Sequence, residues 1–296
     1  MVKTGLLICC GIGSLAVCGQ VKKQFSVEQN EKCDRVELNI KSKTGNCFIR
    51  PSQNTELLNV YSNQDIENYT HTLSNIIRNK VCKIDLALKQ EVNKGFGEKI
   101  SYQVMGSEVN NHSDKFWKIY LSEDKPYTLD LSYGLGNANV DLSGLAIEKV
   151  KIRTASADVN IAYSPGMENK VNMDTFYVKV DMGSLSVKNL NLSKSKMVVA
   201  DVGFGNILLD LSEKPLVSYN VQGSVGAGNM TILMPDDEVP VLVKMTESWL
   251  CSINIPKSLK KISTNTFANA AYLKNPKDPV TFNLDVSMGR ITFKEK

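Results

Sequence analysis

Residues 129–143 read LDLSYGLGNANVDLS, residues 197–212 read MVVADVGFGNILLDLS, and residues 221–235 read VQGSVGAGNMTILMP. The three stretches share one pattern: alternating apolar residues, Gly-x-Gly-Asn, then alternating apolar residues again. Taking the second Gly as anchor, the series continues as Gly136, Ala157, Gly183, Gly205, Gly228, Cys251 and Gly289, at steps of 21, 26, 22, 23, 23 and 38 residues. Self-similarity with such a period belongs to solenoids or propellers, and a four-stranded propeller blade needs about 40 to 50 residues. Units of about 22 residues fit one turn of a parallel β-helix. Six units form a near-regular array and the seventh follows an insertion.

The parity of the alternation flips at the anchor. Before it the apolar set is Leu129, Leu131, Tyr133 and Leu135; after it the set is Ala138, Val140 and Leu142. Likewise Val198, Ala200, Val202 and Phe204 give way to Ile207, Leu209 and Leu211, and Phe282, Leu284, Val286 and Met288 to Ile291 and Phe293. Period two means one buried face per strand. A flip across two residues means that the chain turns a sharp corner while keeping its apolar face inside, whereas a hairpin would reverse direction. Gly at the anchor is expected to supply a positive φ.

Stacked coils place like residues above like at about 4.8 Å. The position after the anchor then forms a polar ladder: Asn137, Asp158, Ser184, Asn206, Asn229, Ser252 and Arg290. Short polar side chains there can bond the backbone freed at the corner. The sixth unit is imperfect, because Lys244, Thr246 and Ser248 stand where other units are apolar while Val241, Val243 and Met245 are one residue out of phase; a bulge or slip is expected there.

Upstream of Pro126 the pattern weakens but stays strand-rich: RVELNI, LLNVYS, CKIDLAL, KISYQVM and KFWKIYLS. KTGNCFIRP repeats the corner, with Gly45 at the anchor, Asn46 on the ladder and Cys47 inward. Residues 64–80 suit either a short helix, with Tyr69, Leu73, Ile76 and Ile77 on one face, or an ordered loop. Solenoid ends expose unpaired edges and must be covered, so residues 20–125 are expected to form an irregular coil plus a cap, and residues 126–296 the seven-coil array.

The chain opens with one Lys, an apolar run from Leu6 to Val17 and small residues before the polar QVKKQ. That is a secretory signal of residues 1–19, too short to span a bilayer, with cleavage after Gly19; lipidation at Cys18 is the rival processing. Cleavage after Gly19 leaves Cys33, Cys47, Cys82 and Cys251. Cys33 and Cys82 are the one pair considered for a bridge, since each enters a strand of the N-terminal region, whereas Cys47 and Cys251 should lie several rungs apart. There are two His, His71 and His112, and no CxxC outside the signal, so no metal site or other cofactor is expected. A net charge of +4, with basic and acidic residues nearly balanced, gives no phosphate-tracking stripe and sets nucleic acid aside.

The Gly-x-Gly triplets at Gly134/Gly136, Gly203/Gly205 and Gly226/Gly228 precede strands, where a dinucleotide site would need a helix N-terminus, so they read as corners. No GxSxG or other triad signature occurs, and no catalytic residue is assigned. Trp117 and Trp249 read as packing residues before sugar platforms. Among outward columns the densest charged patch is Arg153, Lys179, Asp181 and Asp201, which a solvated face with cross-strand ion pairs would explain.

With the repeats laid out, residues from about 115 to 296 resemble the toast-rack proteins, related to the C-terminal domain of the cell-envelope stress regulator LiaF and to adhesin-like β-helix proteins. The carrying stretches are WKIYLS, YTLDLSYGLGNANVDLSGL, KIRTASADVNI, VKVDMGSLSVKNL, DVGFGNILLDLS, VGAGNMTILMP and DVSMGRITF. The resemblance implies an all-β, right-handed, single-stranded parallel β-helix and an envelope location, periplasm or cell surface, and carries no catalytic residues. This chain lacks the membrane-spanning bundle that precedes the LiaF domain. The expected function is a non-enzymatic envelope protein with its solenoid as an interaction platform, the partner being an envelope protein or a glycan. Two alternatives are a polysaccharide-binding or -cleaving β-helix and an envelope-stress sensing partner of a membrane signalling protein.

Overall fold

The computed structural model describes residues 21–63, 71–88, 116–247 and 249–295. In chain order the N-terminal strands are β1 (Lys22–Val27), β2 (Arg35–Ser42), β3 (Asn46–Ser52), β4 (Leu58–Ser62), β5 (His71–Arg78), β6 (Val81–Leu88) and β7 (Phe116–Ser122). Five strand pairs follow: β8 (Pro126–Tyr133) with β9 (Asn137–Asp141), β10 (Ala146–Thr154) with β11 (Asp158–Ala162), β12 (Met173–Val180) with β13 (Ser184–Lys188), β14 (Ser195–Val202) with β15 (Asn206–Asp210), and β16 (Asn220–Val225) with β17 (Asn229–Leu233). The C-terminal strands are β18 (Val241–Glu247), β19 (Ser252–Asn254), β20 (Lys260–Ser263), β21 (Thr266–Ala268), β22 (Val280–Val286) and β23 (Arg290–Lys294).

In each pair the first strand joins a 12-stranded sheet, the entry sheet, and the second an 11-stranded sheet, the exit sheet. Neighbouring pairs stack in parallel, in the register that the anchors set: Asn137, Asp158, Ser184, Asn206 and Asn229 are successive partners. Around Gly205, β14 pairs with β12 and β16, while β15 pairs with β13 and β17. Those two strands lie in different sheets, so the anchor is a corner between sheets and a hairpin is excluded. Alternate residues of both sheets meet in one continuous core, with Val198, Ala200 and Val202 facing Ile207 and Leu209 across the fourth unit, all buried.

What glycine does at the corner differs from the expectation. Gly45 and Gly136 do have positive φ, 98° and 107°. Gly205 does not; it is needed for space. A Cβ there would lie 2.2 Å from the Gly183 carbonyl oxygen and 2.4 Å from Val180 Cγ1. The backbones of successive corners approach this closely because anchor carbonyls accept the N–H of the ladder residue one rung on, as from Asn206 to Gly183 at 3.0 Å and from Asn229 to Gly205 at 2.9 Å.

The rungs do not stack in chain order at either end. Along the entry sheet the strands run β6, β2, β8, β10, β12, β14, β16, β22, β18, and along the exit sheet β7, β3, β9, β11, β13, β15, β17, β23, β19. The unit anchored at Gly289 therefore sits between those of Gly228 and Cys251, and Arg290 precedes Ser252 on the ladder, a correction to the sequential stack. The reason is the quality of the apolar pattern: Phe282, Leu284, Val286, Ile291 and Phe293 are all buried between two rungs, whereas the Cys251 unit leaves Leu250 and Trp249 exposed. The slip expected in that unit is present. Glu247 pairs with Val286 and Ser252 with Arg290, so four residues (248–251) stand opposite three (287–289).

Pro126 opens β8, which pairs with β2 on one side and β10 on the other. The N-terminal region thus supplies two rungs, β2/β3 and β6/β7, and the Gly45 corner behaves as its sequence indicates, with Asn46 beside Asn137 and Cys47 buried beside Ala138. Antiparallel strands close both ends: β5 on β6, β4 on β7 with β1 on β4, and the β20–β21 hairpin on β18. Residues 71–78, expected within a helix or an ordered loop, are thus the strand β5; pairing with the exposed edge of β6 outweighs a weak helical period. Tyr69, His112 and KISYQVM lie outside the described residues, as does the signal with Cys18.

Cys33 and Cys82, the one pair considered for a bridge, form a disulfide, with Cα atoms 5.5 Å apart. Cys47 and Cys251 belong to rungs seven strands apart in the exit sheet. Burial pushes the Cys47 thiol up to about 12, which removes the thiolate needed for reactivity.

The far corner of the coils is tied by side chains. Asn169, fully buried, accepts the Ile147 N–H at 2.7 Å and donates to the carbonyls of Ile147, Val171 and Ser193, joining neighbouring coils. Asn269 plays the same part at the C-terminal end, accepting from Val241 N–H and donating to the Val239 carbonyl.

Candidate interaction surfaces

The outward residues of the entry sheet fall into columns. Arg153, Lys179 and Asp201 are register partners on three adjacent rungs. Asp181 lies beyond the end of β12, in the corner, and is reached by Lys179 at 3.4 Å. All four of these residues are thus neighbours. The neighbouring column completes the patch with residues that the sequence reading passed over: Asp130, which pairs with Arg153 at 2.7 Å, and Tyr177, whose hydroxyl donates to Asp201 at 2.8 Å. Lys151 stands 5.4 Å above the Tyr177 ring. Burial, then the bond to Asp201, pushes the Tyr177 hydroxyl up to about 12, so it stays a donor throughout the physiological range. The charges neutralise one another on a half-exposed surface, where each pair contributes about 0 to 1 kcal/mol. Among the described residues no group of three or more His, Cys, Asp or Glu is arranged to hold a metal ion.

The outer face of the exit sheet has a different composition. Its ladder column bonds along itself, Asn229 to Asn206 at 2.9 Å and Asn137 to Asn46 at 3.2 Å, and the next outward column adds Ser186 to Asn160 at 2.7 Å. The short side chains leave a trough of about 530 Å³ running from Asn137 to Asn229. At the N-terminal end of the same face Phe48 and Phe116 meet edge to face at 6.4 Å, and Lys118 lies 4.8 Å from the Phe116 ring.

Between the two faces runs the outside of the corner. Leu135, Phe204 and Met288, expected inside, are 58%, 74% and 59% exposed, because the chain has already begun to turn one residue before the anchor. Met182 occupies the same position and is also exposed. Trp117 is buried, as a packing residue should be, but Trp249 is 91% exposed at the corner of the outermost rung, a correction to its packing role. The slip in that corner carries it away from the core.

The fold and these surfaces define a two-sheet parallel β-solenoid whose outward columns repeat from rung to rung. The model of the N-terminal domain of toast-rack proteins, DUF2154, matches residues 17–183, more than half of the chain, and the chain belongs to the toast-rack family. The match spans the N-terminal region and the first coils, while the motifs after residue 183 continue the same unit. Among solved structures, a putative cell adhesion protein from Clostridium sporogenes is 18% identical, with 94% of this chain and all of that chain aligned at a TM-score of 0.42. A putative adhesin from Bacteroides fragilis is 11% identical over 93% of this chain and 97% of that chain, at a TM-score of 0.32. No curated protein matches.

Proposed function

We propose that this chain is an exported, non-enzymatic envelope protein whose solenoid faces are an interaction platform. The carrying observation is the pair of broad outer faces on which one residue per rung recurs in register over nine rungs. Such quasi-one-dimensional surfaces suit extended partners. Export rests on the N-terminal signal, with cleavage after Gly19 or lipidation of Cys18, and is supported by the Cys33–Cys82 bridge, which persists in oxidising compartments. No helix among the described residues is long and apolar enough to cross a membrane. In this reading the coils wind right-handed, the hand taken by nearly all parallel crossover connections. The patch of Arg153, Lys179, Asp181 and Asp201 serves as a polar contact area, and residues 20–125 add two rungs to the array of 126–296 and cap its N-terminal end. Cell fractionation with mass spectrometry of the mature N-terminus, followed by cross-linking in envelope fractions, tests the proposal. A processed chain cross-linked to envelope components supports it; a cytoplasmic chain with Met1 intact overturns it.

A further inference from the structure

We infer that the trough on the exit sheet binds a linear, uncharged polysaccharide along the solenoid axis, an inference that rests on the envelope-platform reading. Three observations carry it. Of the residues lining the trough one, Asp158, is charged; seven are Asn, Ser or Thr, and of the four apolar ones Leu208 is half-exposed while Val159, Leu185 and Ile207 are buried in its floor. A charged polymer finds little counter-charge there, whereas a polyhydroxylated neutral one finds donors and acceptors throughout. Second, the polar groups are ordered in advance. The bonds between Asn229 and Asn206 and between Ser186 and Asn160 fix the side chains, yet each amide has two donor hydrogens and two lone pairs and keeps capacity for a ligand. Amides spaced at about 4.8 Å present a repeating lattice to a repeating polymer.

Third, the polar column leads directly into aromatic rings. Phe48 is the register partner of Asn139, which is the partner of Asn160, and beyond Phe48 lies Lys118 with Tyr120 close by. Six rung steps, from Lys118 through Phe48 to Thr231, span about 29 Å. Partly exposed rings offer faces to the C–H surfaces of sugars, and the amides offer partners to their hydroxyls. The entry sheet lacks this combination: its central outward groups are charged and already paired with one another.

The test is affinity electrophoresis of the purified protein in native gels cast with hydroxyethyl cellulose, mixed-linkage β-glucan, mannan, dextran or polygalacturonate, supplemented by an array of neutral and acidic glycans. At least one neutral polymer is expected to retard the protein, with little dependence on salt. The double variant Asn160→Ala/Asn206→Ala should weaken that retention about 10-fold or more, equivalent to losing one or two net hydrogen bonds. Phe48→Ala should weaken it several-fold by removing a stacking face. Lys149→Ala/Gln222→Ala, exposed on the entry sheet, should leave it unchanged. Thermal unfolding of each variant within a few degrees of the parent separates lost binding from lost fold; should the double variant melt early, Ser186→Ala and Phe48→Ala decide. Retardation by no neutral polymer, by polygalacturonate alone, or equally in the trough variants overturns the inference. If envelope cross-links nevertheless persist, and persist in the trough variants, the platform reading stands and only the glycan assignment falls. Envelope cross-links to a protein alone, lost in the trough variants, overturn the assignment in favour of a protein partner.

Discussion

The interior rung β14/β15 and the outermost rung β18/β19 are built from the same strand-corner-strand unit under different constraints. The interior rung has a neighbour on both sides, so its corner must pass within carbonyl distance of the corners above and below, and its apolar alternation is complete. The outer rung has a parallel neighbour on one side only. It tolerates an extra residue at the corner, an exposed Trp249, and Cys251 where interior anchors are Gly or Ala. A repeat is therefore strict where it is sandwiched and loose where it ends, and its sequence quality reports position in the stack more faithfully than order in the chain.

The largest contrast is expected at the anchor. Gly205→Val forces a branched side chain into the space of the Gly183 carbonyl and Val180, with no flexible neighbour to yield, and should destabilise by about 4 kcal/mol or more. Denaturant titration reads this directly, and a loss under about 1 kcal/mol would mean that the corners are not packed as described. Next comes the inner stack: Ile207→Ala should cost about 2 to 5 kcal/mol and Leu208→Ala, half-exposed on the same strand, under about 1 kcal/mol. Equal costs would mean a different register. Asn169→Ala strands the Ile147 N–H and several carbonyls in the interior and is expected to cost about 2 to 3 kcal/mol, with faster amide exchange at Ile147 as the local signature. Trp249→Ala, at the loose end, should change stability by less than about 0.5 kcal/mol; a loss as large as that of Ile207→Ala would show the outer corner to be packed.

Much of this was legible in the chain. The anchors, the parity flip and the ladder fixed the unit, its two sheets and the burial of Ile207 and Leu209, because period-two alternation is a local property. Leu135, Phe204 and Met288 were misplaced by carrying that alternation one residue too far into a corner. Asp130, Lys151 and Tyr177 were readable from the same alignment, two residues along from the column inspected, but their pairing with Arg153 and Asp201 needs three dimensions. Asn169 gave no signal, since a lone Asn in a connecting segment looks like any turn residue. The rung order was hidden for a more basic reason. Nothing in a strand's own residues labels which strand will lie beside it, so a chain that skips a rung and returns to fill it reads as a sequential stack.

Rung order is also the most direct thing to measure. In a Cys251→Ser background, Thr231→Cys can be combined with Thr292→Cys, its register partner on the adjacent strand, or with Asn254→Cys, two strands away at about 9.6 Å. Disulfides form only when Cα atoms come within about 7 Å. Mild oxidation should cross-link the Thr231→Cys/Thr292→Cys pair and leave the Thr231→Cys/Asn254→Cys pair reduced. Cross-linking of the second pair and not the first would place the rungs in chain order and contradict the interleaved stack.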